Sequence, residues 1–166
     1  MFSKRIGIAL FLWGLLIFPL SASMVCFLVI EAGIPASANA GEYAYHWEGG
    51  LMGAFFDAGH IVSNSPVMRL ENLPLAELER GELPREILAD YNDALEGGAE
   101  FFILAILEFN SDGGQIRPGE ISIRVFNTGT RALIYEEKIP VRDTNNPRDE
   151  LMNAQDAGRV IAAQIW

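Results

Sequence analysis

Hydrophobic and polar positions recur along this chain with different periods in different places, and the periods divide it into elements. From Ile6 to Ile30 no residue is charged, a run of 25 with Lys4 and Arg5 before it and Ile34-Pro35-Ala36-Ser37-Ala38-Asn39-Ala40 after it. Further on, Leu51, Met52, Phe55 and Phe56 fall on one side of a helix within Gly50 to Ala58, with Gly59 as its C-terminal stop. His60 to Val67 reads as a strand centred on Ile61 and Val62, ended by Asn64-Ser65-Pro66. Ile87, Leu88, Tyr91 and Leu95 then recur at helical spacing from Pro84 until Gly97-Gly98 ends them.

The second apolar run, Phe101 to Leu107, is too short to cross a membrane and is bounded by turn residues, which predicts a strand covered on both faces at the centre of the sheet. In Glu120 to Phe126, Ile121, Ile123 and Val125 alternate with Ser122 and Arg124, the pattern of a strand with one wet face. Asn127-Thr128-Gly129-Thr130 is a hairpin connection, and Leu133 to Ile139 is the returning strand. Asn146-Pro147 supplies a cap and a first-turn proline for a last helix, whose buried stripe is Leu151, Ala154, Gly158, Ile161 and Ile165. The order is helix, strand, helix, strand, strand, strand, helix. It predicts an α/β (α+β) domain with a three- to five-stranded mixed sheet. A parallel βαβ unit joins the strands near residues 60 and 100, a hairpin extends the sheet, and helices pack on it.

The first run changes what the rest is for. A basic pair, a long apolar stretch and Ala38-Asn39-Ala40 follow the order of a secretory signal, so residues 1–40 are expected to be a signal peptide or an N-terminal membrane anchor, and residues 41–166 a single globular domain outside the cytoplasm. Pro19 and Ser21-Ala22-Ser23 interrupt the run; a cut after Ser23 would leave Met24 to Ile30 as an apolar new N-terminus, whereas a cut after Ala40 opens on polar residues. Cys26 is the single cysteine, so no disulfide can form, and Ser23-Met24-Val25 before it does not resemble a lipoprotein signal. Without Lys4, Arg5 and Glu31 the chain carries ten basic and twenty-one acidic residues, a surface that repels phosphate backbones and disfavours nucleic acid.

Gly50-Leu51-Met52-Gly53-Ala54-Phe55-Phe56-Asp57-Ala58-Gly59-His60-Ile61-Val62, then Gly98-Ala99-Glu100-Phe101 and Thr128-Gly129, resemble a pattern of certain envelope proteins. These are the proteins grouped around the curli-secretion protein CsgG and the penicillin-binding-protein activator LpoB. The chain departs from them in lacking a lipoprotein cysteine, a segment like the curli pore's membrane-inserting hairpins, and a long disordered tether. The resemblance implies a soluble or singly anchored periplasmic or envelope-associated domain that binds another envelope protein, as an assembly or accessory factor, without catalysis and without a cofactor.

For chemistry, His46, Glu48, Asp57 and His60 are the one group with metal-ligand character, and a small extracytoplasmic hydrolase or metal-binding protein using His46 and His60 is the alternative reading. The helix between them separates His46 and Glu48 from His60 by about three turns, roughly 15 Å. Ser63 and Ser65 lie near His60 but no G-x-S-x-G turn is present, and Gly97-Gly98 and Asp112-Gly113-Gly114 lack the residues of a phosphate loop. The acidic pairs Glu77-Glu79, Glu136-Glu137 and Asp149-Glu150 read as solvated faces. The expected interaction surface is the aromatic group Tyr43, Tyr45 and Trp47, the loop with His60, Asn64 and Ser65, and the hairpin tip with Asn127 and Thr128. No catalytic, cofactor or metal residue is assigned.

Overall fold

The computed structural model describes residues 22–34, 41–110, 117–141 and 146–166. Its strands are β1 (Met24–Ala32), β2 (Ile61–Asn64), β3 (Met68–Leu70), β4 (Phe101–Asn110), β5 (Arg117–Asn127) and β6 (Leu133–Pro140). Its helices are α1 (Gly41–Asp57), α2 (Leu75–Glu79), α3 (Arg85–Glu96) and α4 (Pro147–Ile165). The strands form one six-stranded sheet in the order β2-β1-β4-β5-β6, with β3 also pairing β1. β1 runs parallel to β2, β3 and β4, and β4, β5 and β6 are antiparallel in turn. The mixed α/β class is as the sequence predicts.

The main departure is β1. Met24 to Ile30, which the sequence places in the leader, are the second strand of the sheet, buried on both faces and in register with β4 from Val25 opposite Phe101 to Ala32 opposite Glu108. A strand covered by helices on both sides has no polar face to alternate with, so it reads as an unbroken apolar run, as β4 does. The strands near 60 and 100 accordingly do not pair with each other; β1 lies between them. Of the expected strand His60 to Val67 only β2, Ile61–Asn64, forms, and a second short strand, β3, starts at Met68 beyond Pro66, whose ring has no N–H for the ladder. Residues 1–21, with Lys4 and Arg5, and residues 35–40, with Ala38-Asn39-Ala40, lie outside the described residues. Among the described residues no helix is long and apolar enough to cross a membrane.

Two apolar layers flank the sheet. On one face Val25, Phe27, Val29, Ile103, Ala105, Ile121 and Ile123 meet α1 and α4. On the other, Cys26, Leu28, Ile30, Phe102, Leu104 and Phe126 meet Leu78 of α2 and Ile87 and Tyr91 of α3. Cys26 is therefore a core residue in mid-strand. α1 begins nine residues before the expected Gly50, taking in the aromatic lead-in, and buries Ala44, Trp47, Gly50, Leu51, Ala54 and Phe55. Phe56, expected on the buried side, is exposed, while Met52 is half-buried and packs against the core. α1 and α4 meet through small residues: a Cβ on Gly50 would stand 2.4 Å from Ala154 Cβ, and one on Gly158 would stand 2.7 Å from Ala54 Cβ.

Three polar residues expected in solvent are buried. Arg124 is 2% exposed and its Nη2 donates to Glu136 Oε1 at 2.5 Å, with Ser122 beside it on the same face of β5. Glu150, in the first turn of α4, accepts a hydrogen bond at 3.0 Å from Trp47 Nε1 of α1. Each charged group has a partner on another element, although Arg124 Nε and Nη1 and the Ser122 hydroxyl are buried without one among the described residues.

Candidate functional site

The residues singled out from the sequence fall into three places. Tyr43, Tyr45 and Trp47 are successive odd positions of a helix and so diverge by about 200° at each step. Tyr43 packs edge-on against Phe109 with ring centres 6.2 Å apart, and Trp47 is a core residue bound to Glu150. Tyr45 alone of the three points outward, 72% exposed. It shares its side of the helix with Phe56, eleven positions on and 68% exposed, while Met52, seven positions on, is half-buried against the core. A helix returns close to the same azimuth after eleven residues, so Tyr45 and Phe56 lie on one side of α1, about 16 Å apart along its axis. Ile61, in the β2 edge strand that follows α1, is exposed as well.

Asn64 and Ser65 serve the sheet edge. Asn64 Nδ2 donates to Glu48 Oε1 of α1 at 2.9 Å, and the Ser65 N–H donates to Phe27 O of β1 at 2.8 Å, leaving Ser65 buried. At the hairpin, Asn127 Oδ1 accepts from Thr130 N at 2.9 Å and Thr130 Oγ1 at 3.0 Å, closing the turn on itself. Thr128 is buried: its hydroxyl donates to Ala99 O at 2.5 Å and its carbonyl accepts from Tyr91 Oη at 2.7 Å. The hairpin base is thereby tied to α3 and to the start of β4.

His60 stacks on Trp166 with ring centres 3.7 Å apart at 20°. Trp166 also meets Phe101 edge-on, and its Nε1 donates to Ser23 Oγ at 3.0 Å, so its indole closes the sheet end at which β1 begins. Burial holds His60 below its ordinary value, against a smaller upward pull from Glu100. The folded protein thus binds this proton less readily than the unfolded chain. Its contribution to stability is complete above the ordinary value of 6.5 and is lost as pH falls below that toward the folded value. Tm is expected to drop between about pH 7 and about pH 5, and His60→Phe, which retains a ring on Trp166, is expected to flatten that drop. Thermal melts of both proteins at the two pH values check it; equal slopes would refute the role of His60.

The histidines do not join a metal-type cluster. His46 Nε2 lies 3.9 Å from Glu42 one turn back on α1, and Glu48 is occupied with Asn64. Among the described residues no group of three or more His, Cys, Asp or Glu is placed to hold a metal ion. One carboxylate that the sequence reading passes over is Glu31, fully buried near the end of β1 and bound at 2.7 Å by Arg69 Nε of the neighbouring β3. Its Oε1 accepts no hydrogen bond among the described residues, and it lines a pocket of about 300 Å³ with Tyr45, Glu48 and Arg69. A lone charge ending a run of uncharged residues was the available signal.

Another groove lies between β6 and α4, about 250 Å³, with Glu137 and Ile139 on the strand side and Glu150, Asp156, Ala157 and Val160 on the helix side. β6 has β5 as its one strand neighbour among the described residues, so its other edge faces outward beside this groove.

No family model matches the sequence, and no curated protein matches it. Solved structures share its fold at low identity. A PelC dodecamer from Paraburkholderia phytofirmans, carrying a single substitution, is 7% identical, with a TM-score of 0.50 over 83% of this chain and 87% of that one. Lipoprotein GNA1162 from Neisseria meningitidis is 10% identical, with a TM-score of 0.48 over 86% of this chain and 97% of that one. The LpoB C-terminal domain from Salmonella enterica is 17% identical, with a TM-score of 0.44 over 74% of this chain and 84% of that one.

Proposed function

We propose that this chain is an exported, non-catalytic protein of the cell envelope that acts by contact with another envelope protein, as an assembly or accessory factor. The observation that carries the reading is the pair of exposed aromatic side chains on one side of α1, Tyr45 and Phe56, with Ile61 of the β2 edge strand exposed as well. Large apolar side chains aligned on one side of a rigid helix bury much area at small entropic cost when a partner covers them. The acidic balance, a formal net charge of −10, suits a protein partner better than nucleic acid. In this reading the exporting segment ends before Met24. Pro19 and the small residues Ser21-Ala22-Ser23 supply a break and a small-residue site just upstream of β1.

A photo-cross-linking residue placed at Phe56 in cells tests the proposal. The expected result is a discrete adduct with an envelope protein that Tyr45→Ser abolishes. Absence of any adduct, together with intact protein in the cytosol, would sink it.

A further inference from the structure

We propose that the groove between β6 and α4 takes an extended segment of a protein partner as a seventh strand, one whose groove-facing side chains alternate basic and apolar. The inference rests on the reading that the chain acts by protein contact, and it names a second surface for that contact.

Three observations converge on this occupant. First, the groove follows a sheet edge. β6 runs from Leu133 to Pro140 with half-buried and exposed residues in strict alternation, so one of its faces, carrying Tyr135, Glu137 and Ile139, turns toward the core and α4. An added strand would hydrogen-bond to that edge and place its own alternate side chains on the same face, about 4.5–5.5 Å from their β6 counterparts. Secondly, at about 250 Å³ the groove is smaller than the pockets that enclose whole small molecules, and suits side chains entering one at a time.

Thirdly, its charge is of one sign. Glu137, Glu150 and Asp156 line it, Glu150 bonded to Trp47 Nε1 and Asp156 paired with Arg159 at 2.7 Å, and among the described residues no lysine or arginine lines it, while Ile139, Ala157 and Val160 give it an apolar floor. The other charges of β6 are satisfied within the sheet: Glu136 by Arg124 and Lys138 by Glu120, at 3.2 Å. Glu137 faces the groove with the Tyr135 hydroxyl as donor, and burial, together with Glu137, keeps that phenol protonated up to about 12. A partner residue opposite Glu137 is therefore expected to be Lys or Arg, and the one opposite Ile139, two positions along, to be apolar.

The test uses the full chain and an acetylated, amidated probe peptide, Thr-Lys-Thr-Val-Thr-Lys-Thr, with binding followed by calorimetry and by the amide signals of β6 in NMR spectra. Saturable binding that shifts the β6 signals is expected, weakened at least tenfold by Glu137→Gln combined with Asp156→Asn. N-methylation of the peptide's edge-facing amides, or replacement of its lysines by glutamates, is expected to abolish it on the unmodified protein, which keeps the test independent of whether the variant folds. Equal binding by the N-methylated peptide would overturn the proposal, because it would show charge attraction without strand pairing. So would no saturable binding, or self-association through β6 that the peptide does not reverse, which would make a second copy the occupant. Failure here with the Phe56 adduct intact overturns the groove and leaves the contact reading standing.

Discussion

A chain that begins at Gly41 is expected not to fold, whereas one that begins at Ala22 is expected to unfold cooperatively. The shorter chain lacks β1, and β1 holds the sheet together: β2 and β3 pair with it, and β4 pairs with it through eight residues. Val25, Phe27, Leu28, Val29 and Ile30 are all buried. At about 1.5–3 kcal/mol for each large apolar side chain, their loss removes roughly 8–15 kcal/mol, as much as the whole stability of an ordinary domain, about 5–15 kcal/mol. Both apolar layers lose their middle, because β1 contributes alternate residues to each. Far-UV circular dichroism and urea melts of the two chains decide the matter. N-terminal sequencing carries the same expectation into the cell: if the chain is exported and processed as proposed, its product starts upstream of Met24. A cooperative transition in the chain from Gly41, or a product starting there, would show that β1 is dispensable.

The elements that could be read from the sequence are those whose burial is one-sided or whose ends carry turn residues. β4, the β5–β6 hairpin and α4 lie where their periods put them, and Asn146 caps α4 by accepting from the Arg148 N–H at 3.0 Å. β1 was illegible because an uncharged run behind a basic pair satisfies two templates at once, a leader and a strand covered on both faces, and periodicity does not separate them. In α1 the large side chains misled, since the closest approach to α4 is made at Gly50 and Ala54, residues that carry little hydrophobic weight, while Phe56 faces out. The buried polar pairs left no local mark. Trp47 and Glu150 are 103 residues apart, and a hydrogen bond across that separation exists only once α1 and α4 have docked. Of the expected interaction surface, Tyr45 is exposed, while Trp47, Ser65 and Thr128 hold the fold together.

The docking of those helices yields the sharpest contrast among single substitutions: Gly50→Ala is expected to destabilise the protein by about 2–3 kcal/mol, and Gly53→Ala, one turn along the same helix, to stabilise it by up to about 1 kcal/mol. In an isolated helix the two changes are alike, each favoured because alanine forms helix better than glycine. Here the neighbours decide. The new Cβ at position 50 would lie 2.4 Å from Ala154 Cβ and 2.8 Å from Leu151 O, and a backbone oxygen of α4 cannot rotate away as a side-chain tip can. At position 53 the nearest atom is Gln155 Nε2 at 3.8 Å, ordinary contact with a flexible side chain. Gly158→Ala meets Ala54 Cβ at 2.7 Å and is expected to resemble Gly50→Ala. Adding Ala154→Gly to Gly50→Ala removes the closest contact and leaves the one with Leu151 O. The pair is therefore expected to recover part of the loss, with a coupling energy of about 1 kcal/mol in a double-mutant cycle. Urea melts of these variants beside the unmodified protein measure all of this. If Gly50→Ala and Gly53→Ala shift the midpoint in the same direction, α1 and α4 do not approach as closely as Gly50 and Gly158 allow.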